Sequence, residues 1–336
     1  MSCYRGMENQ MHNGKKARVE DGEAGRVAFE SGRGKGSGGV DAVGVLDSRM
    51  LPDQEFIAQW DAVIIDAEQK DRLLAQSILN FTLRGKVNRA NLPLHGLISL
   101  HGPPGTGKTS LARGLAARTA EVVGKLGQFR FIEVEPHALT GAALGKSQRA
   151  VRDLLGQTVA EQAERGPLIV LLDEVETLAA DRSRMSMDGN PIDVHRATDA
   201  VLAQLDQLAA NYPHLLFIAT SNFTKAVDGA FLSRADLIET IGLPVADACR
   251  SILAAAVDEL ARAFPKTKHI LTDSDFETAA KHCVGLDGRR IRKLVISACA
   301  LRKSTALDPN NLTASDLVQA ARQAQEQASS IQEERR

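Results

Sequence analysis

From Gln54 onward, apolar and polar positions along the chain follow two rhythms. Short unbroken apolar runs alternate with stretches in which apolar residues return every three or four positions, the spacing of one helix face. The runs predict five strands: Gly96–His101, Phe129–Val134, Leu168–Leu172, Leu215–Thr220 and Leu237–Ile241. The periodic stretches predict helices over 108–122, 147–164, 193–210 and 228–234. Runs that are continuous rather than alternating suit parallel strands covered on both faces, which predicts a three-layer αβα sandwich. Ahead of them, Trp60–Ile65 is a short apolar run followed by a helical pattern through Leu83. Past Pro244 the strand pattern stops, and four helices are predicted near 246–263, 273–283, 288–303 and 313–328. An α/β domain with a parallel sheet followed by a small all-α domain is the expected architecture.

Composition changes this picture at the ends. Residues 1–50 hold ten of the 27 glycines and few large apolar side chains, so a disordered tail is expected there. The expected division is tail 1–50, α/β domain 51–244, helical domain 245–328 and a short disordered end 329–336. Charge adds an exclusion: 41 Lys+Arg against 42 Asp+Glu leave a formal net charge of −1, with no general pull toward nucleic acid. The four cysteines, Cys3, Cys249, Cys283 and Cys299, form no C-x-x-C pair, which argues against a zinc site or disulfide framework. No run of 18 apolar residues exists, and a cytoplasmic location without membrane contact is expected.

The sharpest chemical signal is His101-Gly-Pro-Pro-Gly-Thr-Gly-Lys-Thr109, which fits G-x-x-x-x-G-K-[ST] between an apolar run and a helix. Glycines let the backbone wrap a phosphate at a helix N-terminus, where N–H groups and the helix dipole favour negative charge. The nucleotide-binding set is therefore Gly102, Pro103, Pro104, Gly105, Thr106, Gly107, Lys108, Thr109 and Ser110. Lys108 is expected on the β- and γ-phosphates of ATP, and the Thr109 hydroxyl on Mg²⁺.

Two later runs end in polar residues. Leu168–Leu172 leads into Asp173 and Glu174, and ligands gather at the carboxyl ends of parallel strands. Asp173 is placed to hold Mg²⁺ and Glu174 to polarise an attacking water, so the pair points to ATP hydrolysis. Leu215–Thr220 leads into Asn222, which can orient the same water or touch the γ-phosphate.

With these residues the chain resembles the AAA+ ATPases, and among them the pachytene-checkpoint family that remodels HORMA-domain proteins. The resemblance rests on Gly102–Thr109, Asp173–Arg182, Asp199–Leu208, Thr220–Asn222, Phe231–Asp236, Ile241–Pro244 and Gly285–Leu294, within roughly 55–325. It implies a nucleotide pocket with the helical domain as lid. Arg234 matches an arginine finger that completes a neighbouring subunit's site, and Arg289 a second sensor that reads the γ-phosphate from the lid. It also places Ile65 near adenine and implies a homo-hexameric ring.

The same resemblance puts a central pore loop at 139–147, with Ala143, Leu144 and Gly145 where relatives carry an aromatic, an apolar residue and glycine. Without the aromatic, purchase on a threaded peptide should be weaker. Arg182–Asn190, with Met185 and Met187, is a second pore-facing candidate. With no folded N-terminal domain in view, the chain resembles compact bacterial relatives that act beside HORMA proteins in anti-phage cyclic-nucleotide signalling, which the ATPase would switch off. A loader acting on nucleic acid and an activase for another enzyme share the nucleotide motifs. The neutral charge and the lack of a basic-aromatic patch weigh against the loader.

Overall fold

The computed structural model describes residues 40, 42–136, 146–179, 191–223 and 226–334, and those residues belong to one compact unit. Six strands form a single sheet in the order β1-β3-β4-β5-β2-β6. The strands are β1 Val45–Leu51, β2 Leu97–His101, β3 Phe129–Val134, β4 Leu168–Leu172, β5 Leu215–Ser221 and β6 Leu237–Thr240. β2 to β6 are parallel, and β2, β4 and β5 are buried along their whole length, as their mainly apolar runs require.

β1 corrects two expectations. It runs antiparallel to β3, with Ser48 opposite Ile132 and Leu51 opposite Phe129, so the sheet is mixed rather than purely parallel. It also occupies residues assigned to the disordered tail, and the folded chain starts ahead of residue 51. The sequence does not signal this strand because Val-Leu-Asp-Ser-Arg-Met-Leu neither alternates cleanly nor runs apolar: within it only Leu51 is fully buried. Arg49 holds this edge together by bonding Asp47 at 2.7 Å and Glu55 at 2.6 Å.

Helix α1, Gln54–Ala62, follows β1, is capped by Asp53, and contains Trp60, the first residue of the apolar run. α2 spans Ala67–Leu83 and α3 Lys108–Val123. Gly114 of α3 lets α1 pack closely, since a Cβ there would lie 2.5 Å from that of Trp60. α3 is tied to the sheet by Arg113, whose guanidinium grips the Glu133 carboxylate of β3 at 2.9 and 2.7 Å, with Glu133 only 1% exposed.

The predicted helix over 147–164 is present from Lys146 to Glu164, but Arg152–Val159 is wound as a π-helix. Pro191–Asn211 and Gly229–Leu232 complete the large domain. The lid has the four expected helices, Ala246–Ala263, Ser274–His282, Gly288–Cys299 and Ala314–Glu334, plus a short one at Lys303–Leu307. The last helix runs through 329–334, where a disordered end was expected. Cys249, Ile252, Phe276, Ile291, Leu294 and Leu317 pack in the lid's own core, separate from the two cores on the faces of the sheet. No described helix is long and apolar enough to cross a membrane.

Candidate active site

The strand order builds the site. β5 lies between β4 and β2, so the carboxyl ends that carry Asp173 and Glu174, then Asn222, then the phosphate loop stand side by side. Leu172 pairs with Ala219 and His101 with Ser221, which sets the three ends level.

Lys108 opens α3 and is 5% exposed. Its ammonium donates to Gly102 O, Pro103 O and Asn222 Oδ1, each at 2.9 Å. Burial pushes its pKa down, against the pull of Glu176, Asp173 and Glu174. All three direct partners are neutral acceptors, which leaves the positive charge without an ion pair among the described residues.

The Thr109 hydroxyl donates to Asp173 at 2.9 Å, and the Thr220 hydroxyl bonds the same carboxylate. Thr220 also accepts the Glu174 N–H at 3.2 Å. One hydroxyl thus fixes both acids of the strand end. Glu174 has φ 50° and ψ 51°, and among the described residues it is the one non-glycine with positive φ. Backbone held in this region costs about 1–3 kcal/mol and collects at functional sites. The turn aims the carboxylate at Asn222, whose amide donates to Glu174 Oε1 at 3.2 Å. Asn222 is held from behind, its N–H donating to Glu176 Oε1 at 3.1 Å while Glu176 Oε2 is buried without a partner. The sequence assigns Thr220 and Glu176 no role, although both stand in stretches that carry the resemblance: a threonine in a strand and an acid two positions after Asp-Glu do not by themselves show what they hold.

The donors available for a metal are hard oxygens, a hydroxyl and a carboxylate in contact. That set suits Mg²⁺, which takes one or two protein ligands and fills the rest of its shell with water and phosphate. Among the described residues no group of three or more His, Cys, Asp or Glu side chains is placed to hold a metal ion.

The lid closes over the loop. Gly105, at φ 82°, leaves room for Asp287: a Cβ would sit 2.2 Å from its carboxylate oxygen. Asp287 caps the helix Gly288–Cys299, and the Arg289 N–H donates to Gly105 O at 3.2 Å. Arg289 therefore stands beside the phosphate loop. A cavity of roughly 750 Å³ lies between the domains, lined by Val63, Ile64, Ile65, Thr106, Gly107, Pro244 and Ile252 among others. Ile65 is thus beside the phosphate loop, on the wall of a space large enough for a nucleoside.

Arg234 is not part of this cluster within one chain. Its guanidinium grips Asp206 at 2.9 and 2.7 Å and donates to Ala230 O at 2.7 Å. The Arg234–Asp206 hydrogen bond holds the Asp206 carboxyl below its usual range and raises Arg234. Arg89 and His95 flank the same carboxylate at 4.0 and 3.8 Å. Ala143, Leu144 and Gly145 lie outside the described residues, as do Met185 and Met187.

Residues 98–243 match the family described as ATPase family associated with various cellular activities (AAA). CD-NTase-associated protein 6 of Pseudomonas aeruginosa is 55% identical over 283 residues, 84% of this chain and 93% of that protein. The pachytene checkpoint protein 2 homolog of Arabidopsis thaliana is 34% identical over 312 residues, 83% of this chain and 66% of the plant protein. A chain in the E. coli MS115-1 HORMA:CdnC:Trip13 complex shares the fold, with a TM-score of 0.69 at 19% identity, covering 83% of this chain and 95% of that one. The chain belongs to the AAA ATPase family, in the group that holds CD-NTase-associated protein 6 and the pachytene checkpoint protein 2 homologs, and it is an ATPase.

Proposed function

We propose that this ATPase works as a ring of six copies that binds Mg²⁺-ATP and uses its hydrolysis to open a HORMA-domain protein complex, switching off an anti-phage signal carried by cyclic nucleotides. One observation carries the hydrolytic part: Lys108, Thr109, Asp173, Glu174, Thr220 and Asn222 form one hydrogen-bonded network at three neighbouring strand ends. The 55% identity to CD-NTase-associated protein 6 supports the setting, and the HORMA:CdnC:Trip13 complex of a chain with the same fold supports the partner.

The division of labour follows from the contacts. Lys108 exchanges carbonyl acceptors for phosphate oxygens, which relieves the cost of a buried charge held only by neutral groups. Thr109 and Asp173 would hold Mg²⁺, which when bound neutralises charge on the β- and γ-phosphates. Glu174 takes the proton of the attacking water, and Asn222 keeps that carboxylate aimed. Arg289 meets the γ-phosphate from the lid. Arg234 is presented to the next subunit's site, and this head-to-tail use of a single residue favours a closed ring.

The test joins chemistry to partner. Glu174→Gln should keep ATP binding, lower turnover by about 10²- to 10⁴-fold, and retain a HORMA-domain client in pull-downs with ATP. Turnover at the wild-type rate would remove Glu174 as base. Stimulation of the wild-type ATPase by DNA and not by a HORMA protein would replace the proposed client.

A further inference from the structure

Arg292 stands where two cavities meet. The larger, roughly 750 Å³, runs along Val63, Ile65, Thr106 and Pro244. The smaller, about 270 Å³, opens at Gly105, Ser110 and Arg289, over the first turn of α3. Gly107 and Arg292 line both. A nucleotide with its base in the larger space and its terminal phosphates at the loop must pass between these two residues. The part of a nucleoside di- or triphosphate that lies there is the ribose and the α-phosphate.

The side chain is suited to an anion. Its Nη2 donates to the Ala62 carbonyl at the end of α1, and among the described residues no carboxylate is bonded to it. Its neighbour Arg290, by contrast, has Asp287 at 3.4 Å. Desolvation alone moves the Arg292 pKa, downward, with no acid acting against it. A guanidinium in that state gains more from a phosphate than from a lone carbonyl, because a phosphate adds the attraction of opposite charges and a second, parallel hydrogen bond to the planar fork.

We propose that Arg292 is a nucleotide-binding residue of the lid, which leaves the Ala62 carbonyl to donate to the α-phosphate of adenosine di- or triphosphate. This rests on the ATP-binding reading above. The exchange links the lid helix to the Val63–Ile65 segment before binding and to the nucleotide after it. Because the α-phosphate is common to ADP and ATP, Arg292 serves both equally.

The test is calorimetric titration of the full chain with ADP and with ATP, using R292A, R292Q, R292K and the control K108A. R292A and R292Q should weaken both nucleotides by one factor, about tenfold, and R292K should recover most of the loss. Glutamine keeps an amide donor for Ala62 O but no charge, so wild-type binding by R292Q makes the residue a strut and overturns the proposal. A loss confined to ATP moves Arg292 to the γ-phosphate and also overturns it. If K108A binds both nucleotides as tightly as wild type, the phosphate-loop reading itself has failed. If K108A abolishes binding while R292A leaves it unchanged, only the role of Arg292 has.

Discussion

Lys108 and Arg234 are two of the three cations that the sequence marks for the terminal phosphate, and their surroundings differ in kind. Lys108 is buried among neutral acceptors at the carboxyl end of the sheet, its charge unmatched by a direct ion pair among the described residues. Arg234 lies at a corner where Asp206 already satisfies it with two hydrogen bonds. The first is prepared for an anion by its own chain. On the proposed reading the second must exchange a carboxylate for a phosphate, which would make its engagement a competition decided by a neighbouring subunit.

The strongest way to break this contrast is Arg234→Ala. If Arg234 acts on a neighbour's phosphate, turnover should fall by about 10³-fold or more while ATP affinity stays near wild type. Mixing these subunits with Glu174→Gln subunits should restore part of the activity, because each supplies what the other lacks. Lost affinity together with lost turnover, and no rescue by mixing, would mean that Arg234 serves its own chain.

The second prediction weighs the two regions by stability. Glu133 anchors α3 through a two-point bond to Arg113 and is 1% exposed, so Glu133→Ala leaves a partly buried guanidinium unmatched. A loss of about 3–5 kcal/mol is expected in chemical denaturation. Asp206 is 43% exposed, and its bond to Arg234 is worth under about 1 kcal/mol, so Asp206→Ala should hardly move the midpoint. A weak lock is what the competition requires. An Asp206→Ala loss as large as that of Glu133→Ala would make the corner structural rather than exchangeable.

The legibility of the molecule follows the same divide. Strands β2, β4 and β5 are readable because burial on both faces forces mainly apolar runs, and the phosphate loop because its glycines have steric reasons. The edge strand β1 was missed: with one neighbour and a half-exposed surface it needs no such pattern. Asp206 and Arg292 could be found only in three dimensions. Their partners, Arg234 and the Ala62 carbonyl, lie 28 and 230 positions away, and neither residue type announces a role at its place in a helix. Thr220 is the intermediate case, a polar residue near the end of an apolar strand that gains meaning once β4 is known to be its neighbour.

The smallest expected effect concerns two histidines, one in each region. His101 precedes the phosphate loop, is fully buried, bonds Ser99 Oγ at 2.9 Å and has Nδ1 without a partner. Its pKa is lowered by burial and then by Lys108. His95 sits beside Asp206, lowered by burial and then by Arg89. In both cases the unfolded chain takes up a proton near the ordinary histidine value of 6.5 more readily than the folded one. Below that pH the unfolded state binds more protons, so stability falls with acidification, by at most about 1.4 kcal/mol per pH unit for each group. The slope vanishes above that pH, where both states are neutral. Urea titrations at pH 7.5, 6.5 and 5.5 should show the decline, with His101→Gln removing more of it than His95→Gln, because His101 is the more deeply enclosed. An equal slope in all three proteins would place the acid sensitivity elsewhere. A larger share for His95 would make the Arg234 corner, and not the phosphate loop, the more tightly closed of the two regions.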